Sequence, residues 1–162
     1  MAPFYPLEKL RKIPAFEGAI IVDPYSGGKG NSVRYFSVAP RDNYMRVTGL
    51  ENLFVGGEKS GFFVGHTEAI CTGSLAGHNA ARNAIGMYLL QLPTSIAIGD
   101  FISYANQELK EEHADRLKFT FAGSIYFNRM KDLGFYTIDK KEIETRVKKA
   151  GLEGVFNKKI IK

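Results

Sequence analysis

Apolar positions along the first sixty residues come in short runs broken by turn formers, whereas beyond residue 65 they recur at helical spacing. Residues 18–23 form a β-branched strand candidate, residues 24–32 are turn-rich, and residues 33–47 mix polar and aromatic side chains. Leu53, Phe54 and Val55 read as a buried-strand run that ends in Gly56 and Gly57. A long helix is expected from about 66 to 85, with Gly65, Ala69, Gly73, Gly77 and Ala81 spaced by four, so that small residues line one face. Such a face lets a helix lie close to a cofactor, or equally close to a plain sheet. Pro93 separates this helix from a second over 96–112, which Thr94 or Ser95 can cap and whose Ile98, Phe101, Ile102 and Ala105 follow helical spacing. A short apolar run at 119–122 precedes a helix around 125–133. Asp139 caps a last amphipathic helix, 140–150, closed by Gly151. No internal repeat or low-complexity linker is present.

Composition narrows the class. At 162 residues, the length matches one domain, or one domain with a small appendage. The 44% apolar and 24% charged fractions exclude a disordered chain, and the apolar runs fall short of the ~20 residues that a helical membrane span needs. Residues 1–10 lack a basic-then-apolar leader pattern. The single cysteine, Cys71, cannot form an internal disulfide and falls on a packed helix, which implies a structural role and a reducing cytoplasm. The net charge of +5 comes mostly from the tail, where Lys140, Lys141, Arg146, Lys148, Lys149, Lys158, Lys159 and Lys162 cluster. Beside Glu142, Glu144 and Glu153 these lysines suit a solvated helix face, and they also allow RNA binding.

The chemistry concentrates at Gly56-Gly57-Glu58. Two glycines at a strand end let a ligand approach the backbone, and the Glu58 carboxylate can accept hydrogen bonds from ribityl or ribose hydroxyls. Gly65 then opens a helix whose N-terminal amides point toward anything held beside that strand end. A rival glycine cluster, Asp23-Pro24-Tyr25-Ser26-Gly27-Gly28-Lys29-Gly30, resembles the phosphate loop of diacylglycerol-kinase-like proteins. Their second element, Gly-Gly-Asp-Gly, is missing, because Gly57 is followed by Glu58 and Lys59; an exposed turn is the preferred reading. His66, His78 and His113 are too widely separated to form a metal site. Glu68, in the first turn of the helix, suits either the site or the helix dipole.

From Thr48 to Gly86 the chain resembles the flavin-dependent tRNA-modifying proteins of the glucose-inhibited division protein A group and the related folate-dependent tRNA uracil methyltransferases. Two blocks carry the likeness. Leu53-Phe54-Val55-Gly56-Gly57-Glu58 is similar to the family's last FAD-contacting strand. Gly65-His66-Thr67-Glu68-Ala69, with Gly73-Ser74-Leu75-Ala76-Gly77-His78-Asn79-Ala80-Ala81-Arg82, is similar to the helix that follows it. A weaker echo continues through Leu92-Pro93-Thr94-Ser95-Ile96-Ala97-Ile98-Gly99. The resemblance implies FAD as cofactor, with Gly56 among the residues that bind it, Gly57 and Glu58 near its ribityl-phosphate part, and Gly65, His66, Thr67 and Glu68 near the flavin ring. Position 58 is Glu where these families carry Gln, and the loop from Lys59 to Val64 is about a residue longer. The Gly-x-Gly-x-x-Gly fingerprint that should open such a fold is absent.

The expectation is therefore an α/β chain. Residues 1–90 form the C-terminal part of a Rossmann-like FAD-binding domain, and residues 91–162 form a helical C-terminal region. It contributes part of an FAD site in a cytoplasmic flavin-dependent oxidoreductase, tRNA-uridine-modifying by resemblance. The expected partner is a dinucleotide-binding part or subunit, with a homo-oligomer and tRNA left open and no membrane. No residue is assigned a catalytic role. The alternative is a non-catalytic RNA- or partner-binding domain derived from a flavoprotein.

Overall fold

A computed structural model of the chain describes residues 6–19, 39–61, 63, 65–110, 120–121 and 124–160. The strand candidate at 18–23 and the 23–30 glycine cluster fall almost wholly outside these residues, and so do the ends of the 119–122 run. Among the described residues five helices stand in chain order: α1 (Leu7–Leu10), α2 (His66–Ala84), α3 (Ala97–Glu108), α4 (Ser124–Asp132) and α5 (Lys140–Lys149). Among the described residues there are also two short 3-10 turns, Gly57–Ser60 and Val155–Asn157.

The described residues are mainly helical and contain no strand ladder, so the expected α/β class is met only in its helical half. Residues 39–55 fold back twice and touch through two isolated antiparallel bridges, Arg41 with Val47 and Arg46 with Phe54. The Val47 amide donates to the Leu53 carbonyl and the Val55 amide to the Met45 carbonyl, each at 2.9 Å. The reason for the interruption is local. Asp42 Oδ1 accepts from the amides of Tyr44 and Arg46, which closes a tight turn and puts Met45 at φ +67°. Backbone in that region cannot continue a pleated strand. Leu53 is 49% exposed, so the expected buried run is instead a half-exposed limb.

One core unites α2, α3 and α4. Leu75 and Ala76 of α2, Phe101, Ile102 and Ala105 of α3, and Tyr126 and Met130 of α4 bury their side chains with Met45, Phe63 and Leu92. Phe101 lies at its centre, with ring centroids 4.7 Å from Phe63, 4.5 Å from Phe121 and 4.4 Å from Tyr126. Fully burying such a side chain is worth ~1.5–3 kcal/mol. An ion pair welds α3 to α4. Arg129 donates to both oxygens of the buried Asp100 at 2.9 and 2.8 Å, and its guanidinium lies over the Tyr104 ring. The Tyr126 hydroxyl sits 2.7 Å from the Ala97 carbonyl and 3.1 Å from Asp100; burial and that carboxylate push its ionisation far up.

Helix α5 forms where the sequence expects it. Asp139 accepts from the Lys141 amide, and Gly151 follows the helix at φ +70°. Arg146 pairs with Glu142 and donates to the Gly134 and Phe135 carbonyls, tying the helix to the turn after α4. Lys140 also pairs with Glu144 on the same exposed surface. Neither Thr94 nor Ser95 caps α3. Ile96, extended and without a side-chain cap, takes that place because residues 93–96 close a turn of their own.

Asn79 joins the two halves of this frame. Its fully buried amide nitrogen donates to the carbonyls of Tyr44 and Leu90, and its oxygen accepts from the Leu90 amide at 2.7 Å. Truncating it would leave three half-buried main-chain groups without this partner. Asn79→Ala is expected to lower stability by about 3 kcal/mol, measured as a shift in the urea midpoint at unchanged slope.

Candidate functional site

Residues 54–72 bring the expected site residues together around one junction. After Phe54 the chain runs extended to Gly56 (φ −126°, ψ 174°), turns left-handed at Gly57 (φ +66°) and enters the Gly57–Ser60 3-10 turn, which carries Glu58. That turn packs against α2. At Gly56 the approach is so close that a Cβ would stand 2.6 Å from Gly73 Cα and 2.7 Å from its nitrogen, both rigid backbone atoms. A Cβ at Gly57 would meet Ala69 at 3.6 Å. The strand end therefore lies one to two turns inside the helix.

Hydrogen bonds fix the junction. The Gly57 amide donates to Thr72 Oγ1 at 2.8 Å, and the Thr72 hydroxyl donates to the Glu68 carbonyl one turn back at 2.7 Å. Ser60 Oγ donates to the Gly57 carbonyl at 2.8 Å, and the Ser60 carbonyl accepts from Arg41 Nε. Helix α2 starts at Gly65 (φ +128°), whose missing side chain leaves room for the Glu68 carboxylate, and no side chain caps this end. Glu68, only 4% exposed, accepts from the Phe121 amide at 2.7 Å. A carboxylate in the first turn also complements the helix dipole. His66 and Thr67 are exposed beside it, while Glu58 is half-buried.

The small-residue stripe of α2 does not face the core. The buried face consists of Glu68, Thr72, Leu75, Ala76 and Asn79, whereas Gly73 and Gly77 are exposed. No described atom lies within 4 Å of where a Cβ at either glycine would stand. Backbone there is open to close approach from outside, next to the strand end.

The titratable groups nearby offer no activated nucleophile. Burial, and after it the Glu68 charge, push the Cys71 thiol up, which lowers its thiolate fraction at neutral pH. Burial and Arg82 hold His78 below its ordinary range, where it packs edge-on against Phe156. Among the described residues no cluster of His, Cys, Asp or Glu could hold a metal ion. What the junction presents is main chain, hydroxyl and carboxylate, groups that donate and accept hydrogen bonds.

Sequence reasoning missed Thr72, Arg41 and Asn79. Thr72 had a signal, being a hydroxyl at the position four after Glu68. The other two bond to partners far along the chain, and the hydropathy pattern does not register such pairings.

The family model described as Glucose inhibited division protein A matches residues 6–87, just over half of the chain. No curated protein and no solved structure matches it.

Two glycine substitutions separate the packed side of the junction from the open side. Gly56→Ala is expected to cost at least ~2 kcal/mol in thermal or urea unfolding, since the neighbouring backbone cannot yield. Gly77→Ala is expected to stabilise the helix by ~0.5–1 kcal/mol, because its methyl enters open space. Cys71 should alkylate more slowly than a thiol peptide at pH 8, with a rate still rising above pH 9, as followed by mass spectrometry.

Proposed function

The chain belongs to the glucose inhibited division protein A family, and from that membership and the Gly56–Gly57 junction we propose that it supplies one side of an FAD site in a flavin-dependent oxidoreductase. The observation that carries this reading is the left-handed strand end held against the first turns of α2, beside helix backbone left open at Gly73 and Gly77. A bulky ligand needs such a bare surface to lie on. Gly56 and Gly57, bare of side chains, let the turn lie directly on α2 beside that surface, and Glu58 accepts from a ribityl hydroxyl. The uncapped α2 start at Gly65, His66, Thr67 and Glu68 directs amides toward its electron-rich portion. Glu68 acts there mainly by holding the helix start against Phe121.

FAD, when bound, would supply the redox chemistry, and this chain's residues would hold and orient it. The pyrophosphate would be held by a dinucleotide-binding part that carries the glycine fingerprint, whether another segment or a separate subunit. The substrate proposed from the family is a tRNA uridine. Lys148, Lys149, Lys158 and Lys159, all exposed, are the residues suited to its phosphates.

The test is a visible-spectrum titration of the chain with FAD, in the presence of its dinucleotide-binding partner. Binding should perturb the flavin bands, and Gly57→Val combined with Glu58→Ala should weaken it at least ~10-fold, the equivalent of 1.4 kcal/mol. Equal affinity in the double variant would remove the site assignment. Salt-sensitive RNA binding without any flavin effect would favour the non-catalytic RNA-binding alternative.

A further inference from the structure

We propose that Thr72 is the positioning residue of this site: its hydroxyl sets the orientation of the Gly57 peptide, and with it the direction in which the Gly57–Ser60 turn presents Glu58. The proposal rests on the FAD reading and adds to it a residue that controls affinity without touching the ligand.

A threonine in a helix commonly donates to the carbonyl four residues back, and that bond alone would be local. Thr72 does this toward Glu68, at 2.7 Å. A hydroxyl has one proton, so once it is given to Glu68 the oxygen can only accept from its other side. The group on that side is the Gly57 amide, fifteen residues away in sequence and 2.8 Å away in space. The polarity of the pair is thus fixed by the helix, and the peptide must present its amide inward. Its neighbours leave no alternative register. Gly56 is pressed against Gly73 and the Thr72 carbonyl carbon, and the Gly57 carbonyl is taken by Ser60 Oγ. Thr72 is fully buried, so water cannot replace its oxygen. The amide of Gly57 is therefore spent inside the protein, and the ligand-facing atoms of the turn are those beyond it.

The same chain of bonds runs further. Glu68, whose carbonyl receives the Thr72 proton, holds the Phe121 amide with its carboxylate. The orientation of the turn is referenced to the α2 start, and the α2 start to residues 120–121.

Three variants of the full chain test this: T72V keeps the shape and removes the hydroxyl, Thr72→Ala removes the same hydroxyl from a smaller side chain, and T72S retains it. Amide hydrogen exchange by NMR should show the Gly57 amide exchanging about tenfold faster in T72V and in Thr72→Ala, and at the wild-type rate in T72S, with the Ala76 amide inside α2 unchanged. FAD affinity, measured with the dinucleotide-binding partner present, should fall about tenfold in the first two and be retained in T72S. Unchanged Gly57 exchange in T72V, or changed exchange with unchanged FAD affinity, overturns the proposal. Failure of the wild-type pair to bind FAD overturns the FAD reading instead, and the exchange rates then decide whether Thr72 orients the turn.

Discussion

Arg41 carries its guanidinium out of water, at 2% exposure, and donates to main-chain carbonyls among the described residues. Nε donates to the Ser60 carbonyl, Nη1 to the Asp42 carbonyl and Nη2 to the Ile102 carbonyl, while the plane lies 5.1 Å from the Phe63 ring centroid. Burial pushes the group down to about 10, with Asp42 opposing, so it stays charged at neutral pH. A charge in that setting is held only while every carbonyl stays in place, because stranding one donor costs ~1–3 kcal/mol or more. Arg41 consequently fixes the site turn, the folded-back limbs and α3 relative to one another.

The hydrophobic core and the polar junction then divide the work. Phe101 and its ring neighbours set how α3 and α4 pack, and the Asp100–Arg129 pair fixes their rotation. Helix α2 has a different character: its buried face holds Glu68, Thr72 and Asn79 beside Leu75 and Ala76, and each polar side chain reaches a partner outside the helix. Polar atoms in a buried face are specific in a way that apolar ones are not, since a small displacement breaks the bond without any compensating contact. That specificity suits a helix whose outer face carries Gly73 and Gly77 and whose start must point in a defined direction.

The parts legible from sequence were those governed by neighbours within one helical turn. The span of α2 and the Asp139 cap of α5 follow from apolar spacing and a short side chain reaching an adjacent amide. The α3 start was less legible, because Thr94 and Ser95 look like caps while the 93–96 turn is what closes there. The Leu53 limb looked buried because its residues are apolar, yet burial depends on what lies opposite, and Met45 in a left-handed conformation prevents a ladder from forming. At the site, the glycines and Glu58 were visible as a cluster. The grip of Thr72 on Gly57, like that of Asn79 on Leu90, spans eleven residues or more and leaves no periodic trace.

Asn79 reaches Leu90, Arg41 reaches Ile102, Asn43 accepts from Asn106, and Glu68 reaches Phe121. Every one of these bonds crosses the point at residue 87 where the family match stops. A cut there would break hydrogen bonds that hold the two stretches together, so they cannot be exchanged between relatives as cassettes. Recombination or grafting within such proteins has to move α2, the 88–93 connector and α3 together.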